Sequence, residues 1–171
     1  MNTALKVSLS LFLLCLTACG WQLRGSNGDA IMIKRLYVST DTPESAFTQV
    51  LNRHLQSSNI ELVTSAAQAQ YSLSITREKS IQRTATVSAS ARISERLLNE
   101  QVWYLLLNSD GTIALEQTVA SVERIFEYNE DNVLATDDEA HMLRAEMHND
   151  LARQISNRLR QLLPSSHAPT P

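Results

Sequence analysis

The sequence has no apolar run of the ~20 residues that a helix needs to cross a bilayer. Its most apolar stretch, Val7 to Leu16, is short and is interrupted by Ser8, Ser10 and Cys15. Only two cysteines occur, Cys15 and Cys19, so the body of the chain has no thiol for a disulfide, a metal or a nucleophile. A basic surplus is missing as well. Fifteen Lys and Arg against eighteen Asp and Glu give a formal charge of −3, whereas a nucleic-acid binder usually carries a positive excess. Four glycines in 171 residues form no phosphate-cradling loop, and no serine stands in G-x-S-x-G. His141 and His148 fall on one helical segment with Asp137 and Asp138 about a turn before His141, a spacing that matches no compact ligand motif. A solvated helix face accounts for all four, and His54 reads as a helix-edge histidine. These absences disfavour an enzyme and a metal site and leave no segment long and apolar enough for a transmembrane helix.

What is present begins at the N-terminus. Lys6 precedes the apolar run, and small residues follow it, which is the pattern of a secretory signal. The run closes on Leu16-Thr17-Ala18-Cys19, which matches the bacterial lipobox, in which the cysteine is acylated and becomes the new N-terminus. Each buried CH₂ of an acyl chain contributes ~0.8 kcal/mol, and a multiply acylated terminus stays on the membrane where a single chain would leave. In lipoprotein sorting an aspartate directly after the cysteine retains a protein at the inner membrane. Gly20 and Trp21 stand there instead, so the expected address is the periplasmic side of the outer membrane. Cleavage removes Lys6 and Cys15, leaving residues 19–171 with fourteen basic and eighteen acidic groups.

Residues 19–30 read as a lipidated tether, rich in turn formers (Gly25, Ser26, Asn27, Gly28). Ile31 to Ser39 has the β-branched and aromatic content of a strand. Thr42-Pro43-Glu44 signals a helix start, with Thr42 at the N-cap; Ala46, Phe47, Val50, Leu51 and Leu55 form its apolar stripe, and Ser57-Ser58-Asn59 ends it. Ile60 to Val63 is a short apolar segment. From Tyr71, Leu73 and Ile75 alternate with Ser72, Ser74 and Thr76, a half-buried strand. The same inner parity runs on through Arg77, Lys79, Ile81, Arg83, Ala85 and Val87, which suggests an arm extending beyond the core. No glycine or proline marks the next turn between Ser88 and Asn99. Val102 to Leu107 is apolar on both faces, as in a central strand, and Asn108-Ser109-Asp110-Gly111 is a clear turn. Thr112 to Tyr128 changes apolar parity, which points to a β-bulge near Ser121. Thr136 to Glu139 reads as a capping box, followed by the helical stripe Leu143, Met147, Leu151, Ile155, Leu159 and Leu162. Pro164 ends that helix, and 164–171 form a polar tail with the composition of a disordered segment. The expected architecture over 31–163 is α+β: a two-layer sandwich, with a mostly antiparallel four-stranded sheet and two helices on one face.

Cys19-Gly20-Trp21-Gln22-Leu23-Arg24-Gly25 resembles the start of mature proteins in the LPS-assembly lipoprotein family LptE (rare lipoprotein B), whose members commonly open Cys-Gly-Trp-x-Leu-Arg. The order of elements and the final helix are similar to that family as well. The resemblance implies a non-enzymatic plug inside the outer-membrane β-barrel LptD, which helps that barrel fold and helps deliver lipopolysaccharide to the outer leaflet. It also implies lipopolysaccharide binding through basic residues on the sheet, for which the candidates are Arg77, Lys79, Arg83, Arg92, Arg96 and Arg124. Guanidinium groups suit bidentate contact with phosphate; solvated or partner-facing charge is the competing account of each. The rival functions are an accessory or pilot lipoprotein of another outer-membrane machine and a lipid-anchored hydrolase.

The lipobox makes a direct prediction. Cys19→Ala leaves an unprocessed or soluble periplasmic product. Continued fractionation of the variant with outer membranes, in cells without its partner, would show that lipidation is not the anchor.

Overall fold

The computed structural model describes residues 33–89 and 92–162. The signal, Cys19, the tether, the start of the first expected strand and the C-terminal tail lie outside the described residues. Among those described, five strands form one sheet in the order β2-β1-β3-β4-β5. They are β1 (Arg35–Thr40), β2 (Glu61–Val63), β3 (Tyr71–Val87), β4 (Ile93–Asn108) and β5 (Ile113–Glu127). Two helices, α1 (Ala46–Ser57) and α2 (Val133–Leu162), complete the α+β fold. The fifth strand is the short apolar segment after α1. It returns parallel to β1, which also pairs parallel with β3, so the chain opens with a β-α-β crossover rather than a hairpin. The long β3-β4-β5 meander is antiparallel and supplies most of the ladder.

Both helices pack on one face of the sheet. Leu36, Leu73, Leu98, Val102, Leu106, Val122 and Phe126 meet Phe47, Leu51 and Leu55 of α1 and Met147, Leu151, Ile155 and Leu159 of α2, all buried. Burying each such side chain contributes ~1.5–3 kcal/mol. The N-cap of α1 is Ser45, not Thr42: its Oγ accepts from Thr48 N at 3.0 Å. Thr42 sits one turn earlier, and its carbonyl accepts from Ser45 N at 3.1 Å. Asn59, at φ 61°, ends the helix in the left-handed conformation that asparagine tolerates. The second helix begins three residues before the expected box. Thr136 is buried inside it, and its Oγ1 donates to Asn132 O at 3.0 Å. Asn129 caps the 3₁₀ turn Glu130–Asn132 that leads in.

Two irregularities in the sheet decide which side chains face the helices. Ile75 pairs with Tyr104, but Arg77 pairs with Trp103, so Thr76 is an extra residue on β3. An extra residue exchanges the two faces for everything beyond it. The inner parity therefore does not continue through Arg77. It passes to Glu78, Ser80 and Gln82, opposite the buried Val102, Glu100 and Leu98, while Arg77, Lys79, Ile81 and Arg83 turn to the outer face. On β5 one shift lies between Ile113, paired with Leu107, and Leu115, paired with Leu106; the next lies between Leu115 and Thr118, paired with Tyr104. The latter places the change of parity at Glu116-Gln117, not Ser121, and turns Val119 outward at 49% exposure.

Near the C-terminal end of α1, His54 is held below its ordinary pKa by partial burial first, then by Arg160 and Arg153 of α2. A histidine whose folded pKa is depressed costs stability as pH falls from about 6.5 through its folded value, because the unfolded chain takes up the proton more readily. His54→Gln should therefore gain melting temperature relative to wild type on going from pH 7.5 to pH 5.5. Parallel pH curves for the two proteins would contradict this.

Candidate ligand-binding face

The six candidate cations separate onto different surfaces. Arg77, Lys79 and Arg83 form a row along β3 on the face away from the helices. All three are exposed, and they make no ion pair among the described residues. The Arg77 guanidinium lies 5.0 Å from the centre of the Trp103 ring. That contact is worth roughly 0.5–1 kcal/mol at an exposed site, and it leaves the guanidinium edge open to an anion.

Arg96 and Arg124 belong to the opposite, helix-bearing face, paired with Phe126 and Leu98 respectively. Arg96 stacks 3.8 Å from the centre of the Tyr128 ring, at the end of β5. Arg124 donates to Asp150 Oδ2 of α2 at 2.7 Å and to Glu123 O at 2.9 Å, and Asp150 also receives Arg153. These two arginines fasten the meander to its surroundings. Arg92 lies beside the arm's tip, in a shallow cavity of about 570 Å³ that Glu95, Glu127, Glu130 and Asp131 also line. Acidic company of that density offsets one guanidinium, so Arg92 offers little to an anion.

Sequence reasoning missed a polar seam between sheet and helices. Glu78 Oε1 accepts from Ser45 Oγ at 2.8 Å, Thr42 Oγ1 at 3.0 Å and Thr48 Oγ1 at 3.2 Å, binding the start of α1 to β3. Beside it the Glu100 side chain is 7% exposed. Its Oε1 accepts from Ser80 Oγ at 2.5 Å. Arg144 Nε stands 3.7 Å away and His148 Nε2 3.8 Å away. Arg144 also donates to Gln82 Oε1 at 2.6 Å. His148 is thus not on a solvated face. It packs edge-on to Phe47, 6.1 Å between ring centres, and faces Glu100. His141 stays exposed, as do Asp137 and Asp138. Among the described residues no His, Cys, Asp and Glu cluster is placed to hold a metal. The signal for the seam was available: Leu98, Glu100, Val102, Tyr104 and Leu106 share one parity, so Glu100 had to face the core.

The face opposite the helices carries Leu97, Trp103, Leu105, Leu107, Ile113, Val119 and Ile125. A sheet of this kind, with a cationic strand beside an apolar one, suits an amphiphilic or macromolecular ligand better than a small polar substrate. Residues 33–159 match the lipopolysaccharide-assembly family LptE. This chain belongs to that family. The LPS-assembly lipoprotein LptE of Photorhabdus laumondii is 24% identical over 159 residues, covering 93% of this chain and 85% of that protein. Among solved structures, the rare lipoprotein B of Shewanella oneidensis superposes with a TM-score of 0.67 at 17% identity, over 74% of this chain and 94% of that one. A lipoprotein B from Nitrosomonas europaea gives 0.68 at 23% identity, over 84% and 90%. Both structures share the fold. As an LptE-family chain, this lipoprotein serves lipopolysaccharide assembly and is not an enzyme.

Proposed function

We propose that this LptE-family lipoprotein, held by an acylated Cys19 at the periplasmic side of the outer membrane, lodges in the LptD barrel and presents its outer sheet face to passing lipopolysaccharide. The observation that carries the ligand half is the row Arg77, Lys79 and Arg83, solvent-exposed on one face of one strand and without an ion pair among the described residues. Three such cations act together on the phosphates of an anionic glycolipid, and charge-assisted hydrogen bonds are worth ~1.5–3 kcal/mol each. The apolar stripe beside them accounts for a protein partner. A barrel closing around this domain would bury more than the ~1,200–2,000 Å² of a standard interface. Arg96 and Arg124, committed to Tyr128 and Asp150, support the scaffold in this scheme.

The test has two arms. Affinity purification from detergent-solubilised membranes at native expression recovers a stoichiometric barrel protein; a lone monomer contradicts the plug. Arg77→Glu/Arg83→Glu loses most lipopolysaccharide binding while melting temperature and barrel association hold. Arg92→Glu/Arg96→Glu loses stability before it loses ligand. Unchanged binding in both double variants returns all of these residues to solvated charge.

A further inference from the structure

The sheet ends unequally. One edge is β2, three residues long. The other is β5, fifteen residues long and without a strand on its free side among the described residues. Natural edges are kept from pairing by brevity, by proline or lysine, or by bulges. β5 has neither proline nor lysine, and from Thr118 to Glu127 it follows β4 without a break in register. Alternate residues of that run turn an N–H and a C=O away from β4. A groove follows this edge, a cavity of about 320 Å³ lined by β5 from Ser121 to Arg124 and by Asp150, Arg153 and Asn157 of α2. Side chains of consecutive strand residues point to opposite faces, so β5 lines the groove along its edge. The two sides of the edge differ in charge. On the helix side Asp150 receives both Arg124 and Arg153, and one carboxylate leaves a positive charge over. The two arginine side chains are 45% and 61% exposed. On the outer side Asn99 donates to Glu123 Oε1, and no cation pairs with Glu123 among the described residues.

A second copy of the chain does not complement this edge. Two copies joined edge to edge about a two-fold axis run antiparallel, and residues opposite each other then share parity. Within Thr118–Glu127 the residues of Arg124's parity are Thr118, Ala120, Val122 and Phe126, with no acid among them. Those of Glu123's parity are Val119, Ser121, Ile125 and Glu127, with no base. We infer that an extended segment of a different polypeptide adds to β5 as a sixth strand, with an acid turned into the groove between Arg124 and Arg153 and an adjacent base turned to Glu123. Main-chain hydrogen bonds hold such a strand, and its alternating side chains select it; opposite charge on each side sets its register and excludes wrong partners. The added strand lies ~4.8 Å beyond β5. The row Arg77, Lys79 and Arg83 is on β3, beyond β4 from this edge, and stays open. The docking is independent of any role in lipopolysaccharide binding.

The experiment uses the full chain from its own membranes and has two readings. Hydrogen exchange is followed by mass spectrometry in the solubilised native assembly and in the chain purified alone. Amides within Thr118–Glu127 exchange roughly tenfold more slowly in the assembly, because the free N–H groups of the edge become ladder donors. The photoreactive residue p-benzoylphenylalanine, placed at Gln154 on the groove wall, captures one segment under light. The sequence of that segment, read by mass spectrometry, holds an acid beside a base. Arg153→Glu lowers the capture several-fold while the melting temperature holds, and changing the captured acid to lysine restores it. Unprotected β5 amides, no capture, or capture of this chain or a second copy of it would each overturn the added strand. So would a captured segment without that pair of charges, or a yield indifferent to Arg153→Glu.

Discussion

One extra residue in β3 determines how the rest of the molecule is arranged. Without the bulge, with Thr76 paired as an ordinary ladder residue, the alternation begun by Tyr71, Leu73 and Ile75 would carry Arg77, Lys79 and Arg83 under the helices. With it, Glu78, Ser80 and Gln82 turn inward, and the Thr76 hydroxyl donates to Trp103 O at 3.3 Å across the bulge. Each inward residue then finds a polar partner: Glu78 the hydroxyls at the start of α1, Ser80 the carboxylate of Glu100, Gln82 the guanidinium of Arg144. The same shift that completes the seam frees the cations for the opposite face.

The seam explains how a sheet this long carries only two helices. Beyond Leu73 and Ile75 the core thins, and polar groups replace apolar contacts along β3. A buried carboxylate such as Glu100 is expensive to desolvate, and removing one member of a buried pair typically costs ~3–5 kcal/mol. The arrangement fixes the register of β3 on β4 and the seating of α1 and α2 at once, because Glu78, Glu100, Arg144 and His148 come from three segments, β3, β4 and α2, and Glu78 also holds Thr48 of α1. The polar contacts that seat the helices thereby lie on the helix side of the sheet.

Much of this was legible in the sequence. Periodicity located both helices and the meander, and the α+β class followed from the order of elements. The Asn108–Gly111 turn forms where its residues indicate, with Gly111 at φ 83°. Trp103 and Tyr104 take opposite faces, as alternation requires. Three features were not legible for physical reasons. A bulge leaves no composition mark, so parity beyond Ile75 could not be extrapolated, and on β5 Val119 was assigned to the wrong side. Glu61–Val63 is too short to show alternation, which concealed the parallel crossover. Ser45 and Thr42 are both good caps, and both hydroxyls end on Glu78, more than thirty positions away, so local sequence does not rank them. The cation set was legible as a composition but not as a site, because Arg96 and Arg124 are bound to Tyr128 and Asp150 by contacts that only the tertiary fold creates.

The division of β3 at Thr76 is tested most directly by comparing two neighbours on that strand. Equilibrium unfolding of Glu78→Ala and Lys79→Ala, with Thr48→Val completing a double-mutant cycle on Glu78, reports which of the two faces the helices. The bulged sheet requires Glu78→Ala to lose about 1–3 kcal/mol and to couple with Thr48→Val, while Lys79→Ala stays within about 0.5 kcal/mol of wild type. A larger loss at Lys79 than at Glu78, with no coupling to Thr48, would mean that the alternation runs unbroken through Arg77 and that the cationic row faces inward.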